Sequence, residues 1–154
     1  VPFFDPRGTS FNRFKGIYQG FSATFTVFMI IMAWLTPATA LGLIPESGSF
    51  VSTLVFGFFG LLLVGLGVAM PHIEPNYTFG VRIPWTLNDS DNWRRTHRFA
   101  GPVFVAMGAV MLVAAFFSAS IPQAALVAVL LVALLGGVGL ITLYSFLLWK
   151  GVIR

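Results

Sequence analysis

Four stretches of this 154-residue sequence are each long and apolar enough to cross a lipid bilayer. A membrane-spanning helix needs about 20 predominantly apolar residues, and the four stretches cover about residues 17–43, 50–70, 99–118 and 123–149. Only 9% of the residues are charged and the mean hydropathy is +0.89, whereas a soluble domain carries about 25% charged residues. The sequence therefore predicts an all-α, multi-pass membrane protein with four transmembrane helices.

The positions of the basic residues predict which side of the membrane each connection faces. All nine Lys and Arg residues lie before the first span, between the second and third spans, or after the last span. The two short connections, residues 44–49 and 119–122, contain none. Because cytoplasmic loops are enriched in Lys and Arg, we expect a plasma-membrane protein with both termini and the long link in the cytoplasm.

The amino-terminal end does not have the pattern of a cleavable signal peptide. Arg7, Arg13 and Lys15 precede the first apolar run, and that run is longer than the apolar core of a signal peptide. Since the sequence begins with Val1 rather than Met, we expect that its start has been removed or that it is the later part of a longer protein.

The long link between the second and third spans, residues 71–98, is called the polar segment. Its first part contains several prolines, which predict an irregular loop, and Gly80 is able to adopt a positive φ. Asn88, Asp89 and Ser90 offer side-chain oxygens for a helix N-cap. We therefore expect a structured loop followed by a helix that runs from Ser90 directly into the third span.

A basic stripe is predicted on that helix, beside Trp93. Arg94, His97, Arg98 and Gly101 have the spacing of one helical face. One interpretation is that the stripe anchors the protein at lipid headgroups. The other is that it binds an anionic group or a partner protein, and the residues alone leave both open.

Several kinds of chemistry are disfavoured by the residues present. The chain has no cysteine, which excludes disulfides, thiolate metal sites and Cys nucleophiles. His72 and His97 lack the close ligand spacing of a zinc site. The net charge of +4 is explained by basic cytoplasmic loops rather than by nucleic-acid binding. We therefore expect no metal, no cofactor and no direct contact with nucleic acid.

The same residues allow two enzymatic sites to be drawn. A Ser-His-Asp triad can be drawn from Ser90, His97 and Asp89, but nothing in the sequence fixes its geometry. A lipid phosphate could instead be gathered by four basic side chains, namely Arg82, Arg94, His97 and Arg98. That site lacks a carboxylate pair or a metal cluster to carry out the reaction, and the sequence therefore predicts no catalytic residues.

Small residues punctuate the second and third spans at regular spacing. Helices associate closely in lipid along such residues, and we expect packing within the bundle in preference to homo-oligomerisation. The residues concerned are Gly57, Gly60, Gly65 and Gly67 in the second span, and Gly101, Gly108 and Ala115 in the third.

The sequence PNYTFGVRIPWTL, followed by NWRRTHRFAG, resembles the signature of the SdpI family of membrane immunity proteins. The start of the chain, VPFFDPRGTSFNRFKGIY, is similar to the segment that precedes a span in that family. The resemblance implies a single SdpI-like transmembrane domain over residues 1–154, equivalent to the C-terminal four-span half of longer relatives. Together with the basic stripe, which adds Arg94, it implies a partner- or lipid-binding site made of Asn76, Gly80, Arg82, Pro84, Trp85, Thr86, Trp93, Arg94, Thr96, His97 and Arg98.

The function implied by the resemblance is non-enzymatic. The best-understood family member protects cells from a secreted peptide toxin, the sporulation delaying protein, and holds a small transcriptional repressor at the membrane. The expected partners are thus membrane lipids, a peptide toxin and a cytoplasmic repressor. The glycine-rich spans equally suit an alternative, a small structural or accessory subunit of a larger membrane complex of the respiratory or transport kind, with other subunits as partners.

Within the polar segment, five side chains are expected to act as one unit: Arg82, Trp85, Trp93, His97 and Arg98. We expect Arg82 to be buried against backbone carbonyls or Asp89, since its guanidinium offers several donors in a planar fork. Pro84 and Gly80 are expected to direct Trp85 back towards the membrane boundary, beside Trp93.

Overall fold

The computed structural model describes residues 8–44 and 48–153, with side chains described in residues 15–44 and 49–153. Within these ranges the chain is helical and contains no strand. The helices are α1 (Gly8–Ala40), α2 (Gly48–Ala69), α3 (Pro84–Asn88), α4 (Ser90–Phe116) and α5 (Gln123–Trp149), with a 3-10 turn at Met70–His72. Four of them are long and apolar enough to cross a membrane, and the predicted all-α, four-span fold is confirmed.

The helix boundaries differ from the predicted spans mainly at their polar ends. α1 begins at Gly8 and α4 at Ser90, both before the apolar runs that predicted them. In α4 the reason is a cap, because the carboxylate of Asp89 accepts a hydrogen bond from the Asp91 backbone N–H at 2.8 Å, and this satisfies an otherwise unpaired donor. The helix expected to run from Ser90 into the third span is therefore observed.

α4 lies at the centre of the bundle and packs antiparallel on α2 along a seam of glycines. A Cβ built on Gly67 would lie 2.6 Å from the backbone oxygen of Gly101, and one on Gly108 would lie 2.6 Å from that of Gly60. The two backbones can approach this closely because none of the four residues has a side chain. The prediction of packing within the bundle is confirmed for these glycines, whereas a Cβ on Gly65 would meet nothing within 4 Å.

α5 packs on the other side of α4 through the apolar core. Met107, Met111 and Leu126 are buried there together with Phe56 and Leu63 of α2. A second buried cluster, nearer the polar segment, joins the two ends of that segment to α5 through Ile73, Trp93 and Ile141. The apolar core thus holds α2, α4 and α5 as one unit and continues beneath the polar segment.

α1 is attached to this unit by two sets of aromatic contacts. Phe28, the one buried residue among the described side chains of α1, stacks on Phe58 of α2 with ring centroids 3.9 Å apart. Tyr18 and Phe21 contact Phe79 of the polar segment at 6.1 and 5.2 Å. Between these two points α1 and α2 are separated by an apolar groove.

The contacts of the polar segment define the two ends of the bundle. Phe79 lies beside the start of α1, and Trp85 lies beside Trp149 at the end of α5, with ring centroids 5.9 Å apart. This end is called the loop end. At the opposite end, the hydroxyls of Thr53 in α2 and Ser118 after α4 are 2.6 Å apart.

Candidate functional site

The polar segment is folded around the side chain of Asn76, which is fully buried. Its amide nitrogen donates to the carbonyls of Glu74 and Phe79 at 2.8 and 3.0 Å. Its oxygen accepts from the backbone N–H groups of Thr78 and Phe79 at 2.8 and 2.6 Å. All the polar atoms of the amide are satisfied, so Asn76 fixes the loop and is not exposed to a partner.

His97 joins the loop to α4, and its hydrogen bonds define its tautomer. The backbone N–H of Val81 must be a donor, so Nε2 of His97 accepts its hydrogen bond at 3.1 Å. The carbonyl of Trp93 can only accept, so Nδ1 donates to it at 2.9 Å. In this arrangement the imidazole carries one proton and is neutral, and both ring nitrogens are in use.

Trp93 and Gly80 complete this buried layer. The indole of Trp93 is fully buried, stacks on His97 with centroids 4.1 Å apart, and donates from Nε1 to the carbonyl of Ile73 at 2.8 Å. Gly80 lies against the two rings with φ +115°. A Cβ at this position would lie 2.5 Å from Nε2 of His97. The predicted positive φ is thus observed, and it allows the loop backbone to contact the rings.

A short helix that the sequence did not predict follows the loop. Pro84 occupies the first position of α3. A backbone N–H at this position would have no acceptor within the helix, so the lack of one in proline costs no hydrogen bond. The buried hydroxyl of Thr86 accepts from the N–H of Ile83 at 3.1 Å and lies 2.8 Å from the carbonyl of Val81. Thr86 therefore caps α3 and ties it to the loop.

Trp85, in α3, packs against α5 and does not lie beside Trp93 as predicted. Its ring contacts Phe146 and Trp149 at 5.7 and 5.9 Å, and Nζ of Lys150 lies 5.0 Å from the centroid of the Trp149 ring. The Nε1 atom of Trp85 is buried without a hydrogen-bond partner among the described residues. α3 projects Trp85 away from α4, which explains why the two tryptophans do not meet.

The predicted basic stripe is divided by the packing of α4. His97 and Gly101 face the interior of the bundle, whereas Arg94 and Arg98 are exposed. Because Nε2 of His97 accepts a hydrogen bond, that residue adds no charge to the surface. The prediction of a four-residue cationic face is therefore wrong. The exposed basic residues on this face are two arginines one turn apart.

Arg82 is exposed, so the expectation of a buried guanidinium is also wrong. Its side chain donates to the carbonyl of Tyr77, which agrees with the expected contact to a loop carbonyl. Asp89, the other expected partner, instead caps α4. Of the five residues predicted to act as one unit, Trp93 and His97 are buried together, and the other three lie outside this layer.

Asp91 forms ion pairs with the two arginines that follow it on α4. Its carboxylate oxygens lie 3.3 Å from Arg94 and 3.8 Å from Arg95. The side chains of Asp91 and Arg94 are 61% and 62% exposed. Exposed pairs of this kind contribute at most about 1 kcal/mol, so these contacts leave Arg94 available to another anionic group.

A buried polar cluster between α4 and α5 was not predicted. Asn92 donates to the carbonyl of Ser145 at 3.0 Å. Its side-chain oxygen accepts from the hydroxyls of Ser145 at 2.6 Å and Thr96 at 3.0 Å. The signals in the sequence were a serine within an apolar run and an Asn and a Thr four residues apart. These signals do not show which residue of another helix each side chain contacts.

Replacing Ser145 by alanine is expected to lower the free energy of unfolding in detergent by about 1 kcal/mol, the size of an interhelical hydrogen bond in a membrane. The loss is limited because Asn92 still accepts from Thr96 and still donates to the backbone at position 145. Chemical unfolding followed by circular dichroism measures it. Ser120→Ala, at an exposed turn position, is the matched control, and equal stabilities for the two variants would contradict the prediction.

Comparison with known proteins finds a family match over these residues. Residues 72–145 match the model of the SdpI/YfhL protein family. The chain is also similar to the Immunity protein SdpI of Bacillus subtilis (strain 168), with 39% identity over 59 residues. That alignment covers 38% of this chain and 28% of the relative, so the chain spans less than a third of the length of the curated protein it matches. No solved structure matches the chain.

The matched residues include the loop folded around Asn76, the His97 layer, α3, all of α4 and most of α5. They contain residues 75–87 and 92–101, on which the resemblance was based, whereas residues 1–18, also similar to the family, lie outside the matched range and mostly outside the described side chains. The resemblance is confirmed for this part of the chain, since residues 72–145 of this membrane protein match the SdpI/YfhL family model.

Proposed function

We propose that the chain is a non-enzymatic membrane immunity protein that resists a peptide toxin and signals through its loop end. The observation that carries the proposal is the 39% identity to a protein named as an immunity protein, together with the family match over residues 72–145. The relative is longer than the matched region, and its activity is transferred here as a proposal.

A cytoplasmic partner is proposed to dock on the exposed arginines of the loop end. The buried members of the candidate site, among them Asn76, Thr86 and His97, have their polar atoms committed to internal hydrogen bonds. Arg94 and Arg98, by contrast, present guanidinium groups on one exposed face of α4. Such groups recognise carboxylates with two parallel hydrogen bonds, and an acidic protein surface is therefore the proposed partner.

The loop end is proposed to face the cytoplasm. The six Lys and Arg side chains that the structure describes all belong to this end: Lys15, Arg82, Arg94, Arg95, Arg98 and Lys150. Positive charge concentrates on the cytoplasmic side of membrane proteins. Because the chain lacks cysteine, single cysteines at Ser90 and Ser120 can be labelled in intact cells. Labelling of Ser90→Cys alone by a membrane-impermeant reagent would contradict this orientation.

A phosphate-transfer enzyme is the less supported alternative. It would need His97 as an acid, a base or a phosphate ligand, but both ring nitrogens are hydrogen-bonded inside the polar segment. The arginines that would gather the phosphate are exposed, and His97 beside them has no free ring nitrogen to act on it. The geometry therefore supports binding in preference to catalysis.

The immunity proposal is tested by expressing the full chain in a toxin-sensitive bacterium challenged with the sporulation delaying protein toxin. Cells that produce the chain are expected to survive at toxin concentrations at least ten-fold higher than cells with an empty vector. Equal survival at equal membrane levels of protein would contradict the immunity role.

The docking proposal is tested separately, by mild-detergent co-purification of the Arg94→Ala/Arg98→Ala double variant. We expect this variant to fold but to lose an acidic partner that the wild type retains. Arg95→Ala, on the same helix but less exposed, is the matched control and should retain the partner. Recovery of a stoichiometric set of energy-transducing subunits with all three proteins would instead favour the role of a structural subunit.

A further inference from the structure

The groove between α1 and α2 is apolar and open along one side, and it is closed at the end away from the loop end. It has a volume of about 320 Å³ and is lined by Ile17, Phe21 and Thr24 of α1 and by Phe58, Gly65 and Ala69 of α2. The stacked rings of Phe28 and Phe58 close the end nearest the bundle centre. The contact between Phe21 and Phe79 holds α1 at the loop end.

The length of the groove matches one leaflet of a bilayer. On α2 its lining runs from Phe58 to Ala69, which at 1.5 Å per helical residue is about 16 Å. Half of the hydrocarbon core of a bilayer is about 15 Å thick. The groove therefore extends from the loop end to about the middle of the membrane and stops there.

The groove is wide enough for one acyl chain but not for a helix. A volume of about 320 Å³ over about 16 Å of helix describes a narrow groove. An α-helix of that length, with its side chains about 10–12 Å in diameter, has a volume on the order of 1,200 Å³ or more. A peptide helix, or a helix of a second copy, is therefore too wide for the groove, whereas one acyl chain fits.

The charge at the mouth favours an anionic headgroup. Lys15 is exposed and lies two residues before Ile17, at the loop end of the groove. A lysine at this level holds anionic lipid headgroups. We propose that the groove is a lipid site, which takes one acyl chain of an anionic phospholipid with its phosphate beside Lys15. The lipid then covers part of the surface of α1, which has one buried residue among its described side chains.

Two glycines of the groove provide a direct test. A Cβ at Gly65 or Gly20 would meet nothing within 4 Å, and both residues line the groove. Leucine at either position is expected to extend from this open Cβ position into the groove. Gly139→Leu is the matched control, since Gly139 is equally open but lies on α5, outside the groove.

The measurement is native mass spectrometry of the full chain, delipidated and reloaded from phosphatidylglycerol vesicles or phosphatidylcholine vesicles. Wild type and Gly139→Leu are expected to bind one phosphatidylglycerol. Gly65→Leu and Gly20→Leu should show at least ten-fold lower occupancy while unfolding at the wild-type temperature. Lys15→Ala should bind the two lipids equally.

Three results would overturn the proposal. The first is wild-type occupancy in both glycine variants, which would place the lipid elsewhere on the surface. The second is a preference for phosphatidylglycerol that persists in Lys15→Ala. The third is a dimer or a bound peptide that the glycine variants abolish, which would assign the groove to a protein partner.

Discussion

Gly80→Ala is expected to lower the free energy of unfolding in detergent by about 2–6 kcal/mol. Two costs combine at this position. A φ of +115° strains any residue with a side chain by about 1–3 kcal/mol. The new methyl group would also lie 2.5 Å from Nε2 of His97 and 3.2 Å from the ring of Trp93, and overpacking of this kind costs about 1–3 kcal/mol.

The change also removes what holds the polar segment on α4. To relieve the contact, the loop must move away from His97, which breaks the hydrogen bond from Val81 and leaves Nε2 unsatisfied. Chemical unfolding of the purified protein measures the loss. Gly136→Ala, where a Cβ meets nothing within 4 Å, is the control and is expected to be neutral or slightly stabilising, since alanine favours helix.

A double-variant comparison shows whether the contact with His97 is the cause. His97→Ala removes the ring that the new methyl group meets, so Gly80→Ala should cost clearly less in that background, with a coupling of at least about 1 kcal/mol. Strictly additive losses would show that only the backbone strain matters. A Gly80→Ala protein with wild-type stability would contradict the arrangement of Gly80, Trp93 and His97 described above.

The features that the sequence predicted correctly are those set by local chemistry. The apolar run from Gln123 to Trp149 coincides with α5, because apolar length alone decides whether a helix spans a bilayer. Asp89 caps α4 and Gly80 takes a positive φ, since these preferences belong to the residue type. Each of these inferences required only the residue and its immediate neighbours.

The features that the sequence predicted incorrectly depend on which helix lies at the centre. Helical spacing placed His97 on one face with Arg94 and Arg98, but spacing does not tell which side of a helix faces its neighbours. α4 packs between α2 and α5, and its first turns lie beneath the loop, so His97 turns inward while the arginines remain outside. A buried histidine beside two exposed arginines looks the same in the sequence as a cationic stripe.

Long-range partners were missed for a related reason. Trp85 contacts Trp149 and Asn92 contacts Ser145, in each case across more than 50 residues of sequence. α3 was missed because Ile83 before Pro84 predicts extended backbone, which is correct for Ile83, but the proline then starts a helix. The residues that build the polar segment were thus predictable, whereas their division into buried and exposed members was not.

Gly67→Ala is expected to disrupt the pairing of α2 and α4, with a loss of about 2–4 kcal/mol. The added methyl group would lie 2.6 Å from the backbone oxygen of Gly101 and 2.8 Å from the backbone nitrogen of Val105. Backbone atoms of a helix cannot rotate away as a side chain can, so the helices must separate. Overpacking costs about 1–3 kcal/mol, and the separation also weakens the close contacts along the rest of the seam.

Gly57→Ala, in the same helix and facing the same partner, is the matched control for this prediction. A Cβ on Gly57 would lie 3.9 Å from Cβ of Ala115, which is ordinary contact, so the variant should unfold like the wild type. Titration with a denaturing detergent measures both proteins. Because the seam orders α4 beneath the polar segment, Gly67→Ala should also reduce immunity if the proposed function is correct. Equal stabilities of the two variants would show that α2 and α4 are further apart than the glycine seam requires.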